Sequence, residues 1–163
     1  MFRGKDSPLP AAKRTSFTGL PYYAIDESYH VPAGLTREPN GPPTFIELPT
    51  STNQRRKMRR VGTLNFTLNA QQYSLTAFAE EEDTAIRRLF VPFGDLTNTA
   101  ETYGGGRYLE LDRTPTGLYD LDFNRAYHPF CVFNSEYDCP VPPRENRLPI
   151  AIRAGEKLSA QGP

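Results

Sequence analysis

Tryptophan is absent from this 163-residue chain, and cysteine, methionine and histidine occur only twice each. Two cysteines are too few for the disulfide framework of a small secreted domain. No run approaches 18 apolar residues, so a spanning helix is not expected. The first eight residues, Met1 to Pro8, hold no apolar stretch of the secretory kind, and a cytoplasmic location is the expectation. Neither sign of charge is in excess, because nineteen Lys+Arg balance nineteen Asp+Glu. A protein built chiefly to hold nucleic acid carries a basic surplus, so nucleic acid is not the expected partner.

What the chain does have is proline and aromatic rings. Sixteen prolines is about twice the usual share, yet Pro and Gly together stay below the ~25–30% that marks low-complexity chains. Ten Phe and nine Tyr can each bury roughly 150–250 Å², which is material enough for one core. Prolines spread this evenly leave few stretches where a helix can run. Short apolar–polar alternations recur instead, over 28–38, 44–49, 61–68, 72–79, 87–93, 107–112, 118–123 and 148–154. Eight such strands predict an all-β, single-domain antiparallel barrel or sandwich with long Pro-rich loops and little helix. The one helical candidate is 80–88, whose acidic start also suits a loop. Residues 1–20 read as a surface arm pinned by Leu9, Phe17 and Leu20, 21–158 as the β domain, and 159–163 as a flexible tail.

The clearest local expectation is a hairpin of 61–68 and 72–79. With a turn at Asn69-Ala70, Leu64 faces Leu75 and Phe66 faces Tyr73; a turn at Ala70-Gln71 keeps the same faces together. Extending either register sets the basic run Arg55-Arg56-Lys57-Met58-Arg59-Arg60 opposite Glu80-Glu81-Glu82-Asp83, with Arg59 against Glu80 or Glu82. Cross-strand charge complementarity therefore explains that run better than a phosphate-binding patch.

From Asp95 to Lys157 charged and amide residues stand directly beside aromatics. Polar groups threaded this way must be solvated or paired, because burying them alone costs several kcal/mol. Two arrangements meet that demand: a polar pocket at one end of a barrel, or a hydrogen-bond network that locks the loops onto the sheet. The triple glycine 104–106 is followed by no Lys-Ser/Thr and no helix, so it reads as a tight turn into the strand at Arg107. Cys131 and Cys139, with His128 upstream, read first as reduced cysteines, next as a disulfide, and last as zinc ligands with His30 or Asp138. No G-x-S-x-G elbow occurs, and no spacing selects a carboxylate pair.

These same segments resemble an uncharacterised bacterial and archaeal family, domain of unknown function 1684. The resemblance is carried by Leu89-Phe90-Val91-Pro92-Phe93-x-Asp95-x-Thr97, Glu101-Thr102-Tyr103-Gly104-x-Gly106-Arg107-Tyr108-Leu109 and Leu121-Asp122-Phe123-Asn124-x-Ala126-Tyr127-x-Pro129-x-Cys131. It continues through Cys139-Pro140-x-Pro142-Pro143-x-Glu145-Asn146-Arg147-Leu148-Pro149 and Ala154-Gly155-Glu156-Lys157. The resemblance spans nearly the whole chain and implies no reaction or ligand. Members of the family commonly have Asn where this chain has His128, and a turn Gly at the positions of Ala70 and Thr99.

Because the shared motifs coincide with the polar–aromatic segments, the expected site is a polar pocket that binds a small anionic molecule. Arg107 would supply a charged fork for the anion. Glu101, Glu145 and Glu156 would orient Arg107 and Lys157, while Tyr103, Tyr127, Asn124 and Asn146 line the pocket. Glu145 is the preferred proton-transfer group and His128 the second. No cofactor and no metal are expected. The alternative is a structural or protein-interaction module in which the same residues lock the loops.

Overall fold

The computed structural model describes residues 2–159, so the expected tail lies outside the described residues except for Ser159. Seven strands carry the architecture: β1 (His30–Arg37), β2 (Thr44–Pro49), β3 (Arg55–Leu68), β4 (Gln71–Ala79), β5 (Leu89–Phe93), β6 (Arg107–Leu111) and β7 (Tyr119–Asp122). They pair antiparallel in the order β6-β5-β4-β3-β1-β7, with β2 added to β3. The β6–β7 connection folds back on itself, Thr114 N–H donating to the Leu118 carbonyl at 2.8 Å, and brings the two ends of the sheet together. The result is a nearly closed, nearly all-β barrel. The single α-helix among the described residues is one turn, α1 (Ala11–Arg14), in the amino-terminal arm. No helix among them is long and apolar enough to cross a membrane.

The β3–β4 hairpin follows the first of the two registers. Leu64 faces Leu75 and Phe66 faces Tyr73. Its turn residues Asn69 and Ala70 both have positive φ, +49° and +65°, which is the mirror-image turn whose twist matches a hairpin. A bulge between Arg60 and Gly62 then shifts the register by one. Gly62 is required there, since a Cβ would strike the Thr36 carbonyl of β1. The shift puts Arg59 opposite Ala79 rather than Glu80 or Glu82. The charges still pair, through Arg56–Glu80 at 3.2 Å, Lys57–Glu81 at 2.8 Å and Arg60–Glu38 at 2.7 Å.

The two-residue period sorts side chains to two sides of the wall. Leu89, Val91 and Phe93 of β5, with Leu109 and Leu111 of β6, join Leu64, Leu75, Leu121 and Phe123 in the main core. Phe78 points the other way and packs with Leu48 and Met58 under β2, beside Phe90. Arg107 has the parity of Leu109 and Leu111, whereas Tyr108 and Glu110 share the parity that faces out.

Two expected elements are not formed. Residues 80–88 make a series of turns, the loop their acidic start also suited, with Ile86 at φ +49° and the Asp83 carboxylate accepting from the Arg87 amide. Residues 148–154 form no strand, and the chain bends at Pro149 and Ile150. They begin as one, with Leu148 N–H bonded to the Gly94 carbonyl and Leu96 N–H to the Ile150 carbonyl. Beyond Ile150 side chains take the place of a neighbouring strand: Asp95 accepts from the Ile152 amide, and Arg107 donates to the carbonyls of Ile152 and Ala154.

Candidate functional site

At the mouth of the barrel Arg107 is completely buried. Its guanidinium donates through Nη1 to the carbonyls of Ala154 (2.5 Å) and Glu156 (3.0 Å), and through Nη2 to Ile152 (2.8 Å). Nη2 also lies 3.4 Å from the Asp95 carboxylate. That leaves Nε, which has no hydrogen-bond partner among the described residues, with the Phe93 ring centroid 5.3 Å from the guanidinium carbon. Burial pulls the guanidinium below its ordinary pKa, and Asp95 opposes that shift. Asp95 is saturated in turn by the Ile152 amide (2.6 Å), the Thr97 hydroxyl (2.8 Å) and the Asn98 amide (3.2 Å). Arg107 therefore offers no free fork to an anion. It holds residues 152–156 across the barrel mouth as a strap.

The other expected site residues are tied up by partners of their own, in several separate places. His128 and Glu156 are both 2% exposed. His128 Nε2 accepts from the Tyr103 backbone amide at 3.2 Å, so Nδ1 carries the proton and donates to Glu156 at 3.1 Å. With both nitrogens engaged, His128 has no lone pair left for proton transfer. Asn146 is buried and its side chain spans two strands, accepting from Thr76 N–H at 2.7 Å and donating to the carbonyls of Thr76 and Pro92. Asn124 ties the Asp26 backbone to the Asp122 carboxylate.

Glu101 faces outward, gripped by Arg153 (3.1 Å) and Tyr23 (3.0 Å), and these bonds lower its pKa. Lys157 lies 5.2 Å from the Tyr23 ring centroid. Glu145, about half exposed, sits on the single-turn 3-10 helix Arg144–Asn146, 3.7 Å from Arg60 and remote in role from the His128–Glu156 pair. Glycines 104–106 form a tight turn, Gly106 N–H donating to the Tyr103 carbonyl. Gly106 has φ +91°, and a Cβ there would come within 2.5 Å of the Phe93 carbonyl. No cluster of three His, Cys, Asp or Glu that could hold a metal occurs among the described residues.

A hollow does exist, but on the outer wall. Phe90 of β5 and Tyr108 and Glu110 of β6 form its floor, and the segment 127–140 forms its far side with Tyr127, Phe130 and Tyr137. The groove measures about 350 Å³. Its rings meet edge to face: Phe90–Tyr108 at 4.8 Å, Tyr108–Tyr127 at 5.8 Å and Phe130–Tyr137 at 5.4 Å between centroids. Tyr127 donates to Glu110 at 3.2 Å, and Tyr108 donates to the Pro140 carbonyl. Burial first, then Glu110, raises the Tyr127 pKa. Three carboxylates edge the groove, Glu80, Glu110 and Asp138; Arg56 pairs with Glu80 at 3.2 Å and Arg88 with Glu110 at 3.4 Å, while Asp138 accepts from the Thr52 hydroxyl.

Of the expected ligand-binding residues only Tyr127 reaches this groove. Phe90, Phe130 and Tyr137 carry no charge that would single them out in the sequence. The signal that could have found part of the site is strand parity, which puts Phe90, Tyr108 and Glu110 on the face opposite the core.

The family described as "Protein of unknown function (DUF1684)" matches residues 15–157. The solution NMR structure of an uncharacterized protein of Haloarcula marismortui is similar, with 38% identity, a TM-score of 0.74, and coverage of 95% of this chain and 84% of that one. No curated protein matches.

Proposed function

The chain belongs to the DUF1684 family, whose description names neither reaction nor ligand, so we propose from geometry that the barrel is a small-molecule-binding module with the outer-wall groove as its site. The occupant is a small organic cation, an ammonium or guanidinium group on an apolar or aromatic body. One observation carries this reading: a hollow of about 350 Å³ combines an aromatic lining with a rim of three carboxylates, two of them paired with Arg56 and Arg88. Volumes of roughly 300–1,000 Å³ suit drug-sized ligands. Tyrosine and phenylalanine faces attract cations by their quadrupole, and carboxylates add to that attraction. An anion would meet the Asp138 carboxylate, which forms no ion pair among the described residues, whereas Glu80 and Glu110 are compensated by Arg56 and Arg88.

Benzyltrimethylammonium and phenylacetate, similar in size and opposite in charge, test the reading in the full chain. The cation should raise the melting temperature in proportion to its occupancy and shift NMR signals of Phe90, Tyr127 and Tyr137. Phenylacetate should do neither. Tyr137→Ala and Glu110→Gln should each weaken the cation's effect by about tenfold in Kd, the range of a ~1 kcal/mol cation–π or charge contact. Equal responses to both probes, or none to either, would overturn the proposal.

The alternative role of the mouth residues, locking loops onto the barrel, is supported by their hydrogen bonds. It is a role in stability and competes with no ligand for the groove.

A further inference from the structure

The far wall of the groove runs between two cysteines, and neither takes part in the reading above. Cys131 is half-buried in the single-turn 3-10 helix Phe130–Val132, and Cys139 is buried just before Pro140. Both are free thiols. The Cys131 backbone amide donates to Cys139 Sγ at 3.2 Å, so the second sulfur already lies within reach of the first residue's side chain. Cys131 Sγ is 3.9 Å from the Tyr103 hydroxyl, which closes the pocket around the sulfurs on the barrel side.

The two ends of this wall are held unequally. Around Cys139 the backbone is fastened to the barrel: Ser51 N–H donates to the Cys139 carbonyl, Cys139 N–H to Ser51 Oγ, and Val141 N–H to the Pro49 carbonyl. Around Cys131 the backbone bonds are local, Val132 N–H to Pro129 and Phe133 N–H to Phe130, apart from the Cys131 amide, which reaches Cys139 Sγ and no strand. Phe130, whose ring lines the groove, belongs to this less anchored end.

We propose that Cys131 and Cys139 are a reversible dithiol–disulfide pair whose closure pins Phe130 and the groove wall to the anchored end; the consequence for binding rests on the groove reading, whereas bond formation does not. The oxidant is a low-molecular-weight disulfide such as glutathione disulfide. The Cys131 sulfur, the more accessible of the two, attacks as thiolate; the oxidant's S–S bond breaks, one glutathione leaves and a mixed disulfide forms. The Cys139 sulfur then loses its proton, attacks the Cys131 sulfur and displaces the second glutathione. Two protein thiols are oxidised, one glutathione disulfide is reduced to two thiols, and both protons end on them. Burial and the neighbouring Cys131 thiol hold the Cys139 thiol up at about 12.

The test is incubation of the full chain with excess glutathione disulfide. The expected product is monomeric, has no free thiol, and has lost two hydrogens in mass. Cleavage after Glu136, which separates the cysteines in sequence, should leave its halves joined until dithiothreitol is added. Cys139→Ala, or Cys139→Ser if the alanine variant does not fold, should instead retain one glutathione on Cys131. A lasting glutathione adduct on the unaltered protein, cross-linked dimers, or thiols that react only after denaturation would each overturn the proposal. Benzyltrimethylammonium should bind the oxidised form severalfold more tightly, because a pinned wall loses less freedom on binding. Equal affinity of both forms would refute the consequence for binding while the cross-link stands, and no binding to either form would overturn the groove reading itself.

Discussion

The barrel mouth and the outer-wall groove draw on neighbouring residues of one strand, yet they differ in what is left over once the chain has folded. At the mouth, Arg107 and Asp95 spend nearly every donor and acceptor on the strap at 152–156. One residue further along β6, Tyr108 turns outward and helps to floor a hollow of about 350 Å³. The mouth is rich in polar groups and keeps only a small hollow of about 120 Å³ beside His128, Glu156 and Lys157, whereas the groove is rich in rings and holds about 350 Å³. Density of charge is therefore a weak guide to a ligand site, because folding itself consumes charged groups. The better guide is capacity left unused.

The largest expected effect would break this contrast if it failed. Arg107→Met leaves Asp95 buried without its cation and three carbonyls without a donor. Breaking a buried pair in this way costs about 3–5 kcal/mol, to be read as a loss of urea stability. Tyr137→Ala, in the groove wall, should cost at most about 1 kcal/mol, the scale of one edge-to-face contact. If the two variants were equally destabilised, the division between a locked mouth and a vacant groove would be wrong.

A smaller effect calibrates the scale at a site in neither region. Ala70 adopts φ +65° in the β3–β4 turn, a conformation that costs an L-residue roughly 1–2 kcal/mol. Ala70→Gly should raise stability by about 1 kcal/mol in the same denaturation assay, less the entropy that glycine adds to the unfolded chain. Ile86, at φ +49°, and Thr99, at φ +79°, are further such positions.

The smallest effect depends on pH. His30 Nε2 bonds the Asp120 carboxylate where β1 meets β7, and that bond first, then the neighbouring charges, raises the His30 pKa. A raised folded pKa adds stability that is full below the ordinary histidine value of about 6.5 and is lost as pH rises through the folded value. Asp120→Asn should therefore lower the melting temperature in mild acid and leave it nearly unchanged in alkali. The loss should stay below about 1 kcal/mol, because both side chains are substantially exposed. A larger loss in alkali than in acid would contradict this assignment.

Much of the fold was legible because strands advertise themselves by alternation. Leu64, Phe66 and Leu68 on one strand, and Tyr73 and Leu75 on the next, place the central hairpin and narrow its register to two, of which the structure takes the first. The bulge at Gly62 was not legible, since its cause is the approach of Thr36 from β1, far away in sequence. Residues 148–154 alternate like a strand but have no strand beside them beyond Ile150. Side chains of Arg107 and Asp95 supply the partner, and no local pattern encodes that. The candidate site was less legible. Sequence cannot tell a satisfied network from an open pocket, and the groove rings resemble ordinary core residues until strand parity sends them outward.

The strap has a bearing on how the polypeptide comes to be folded at all. The acceptors that satisfy Arg107 lie 45 to 49 positions later in the chain. During synthesis this guanidinium must wait for roughly fifty further residues to leave the ribosome before it can be sealed inside. Contacts between such distant positions form slowly, so closing the barrel end is expected to be a late event, and a nascent chain stalled before Ile152 would carry an ion with nowhere to hide.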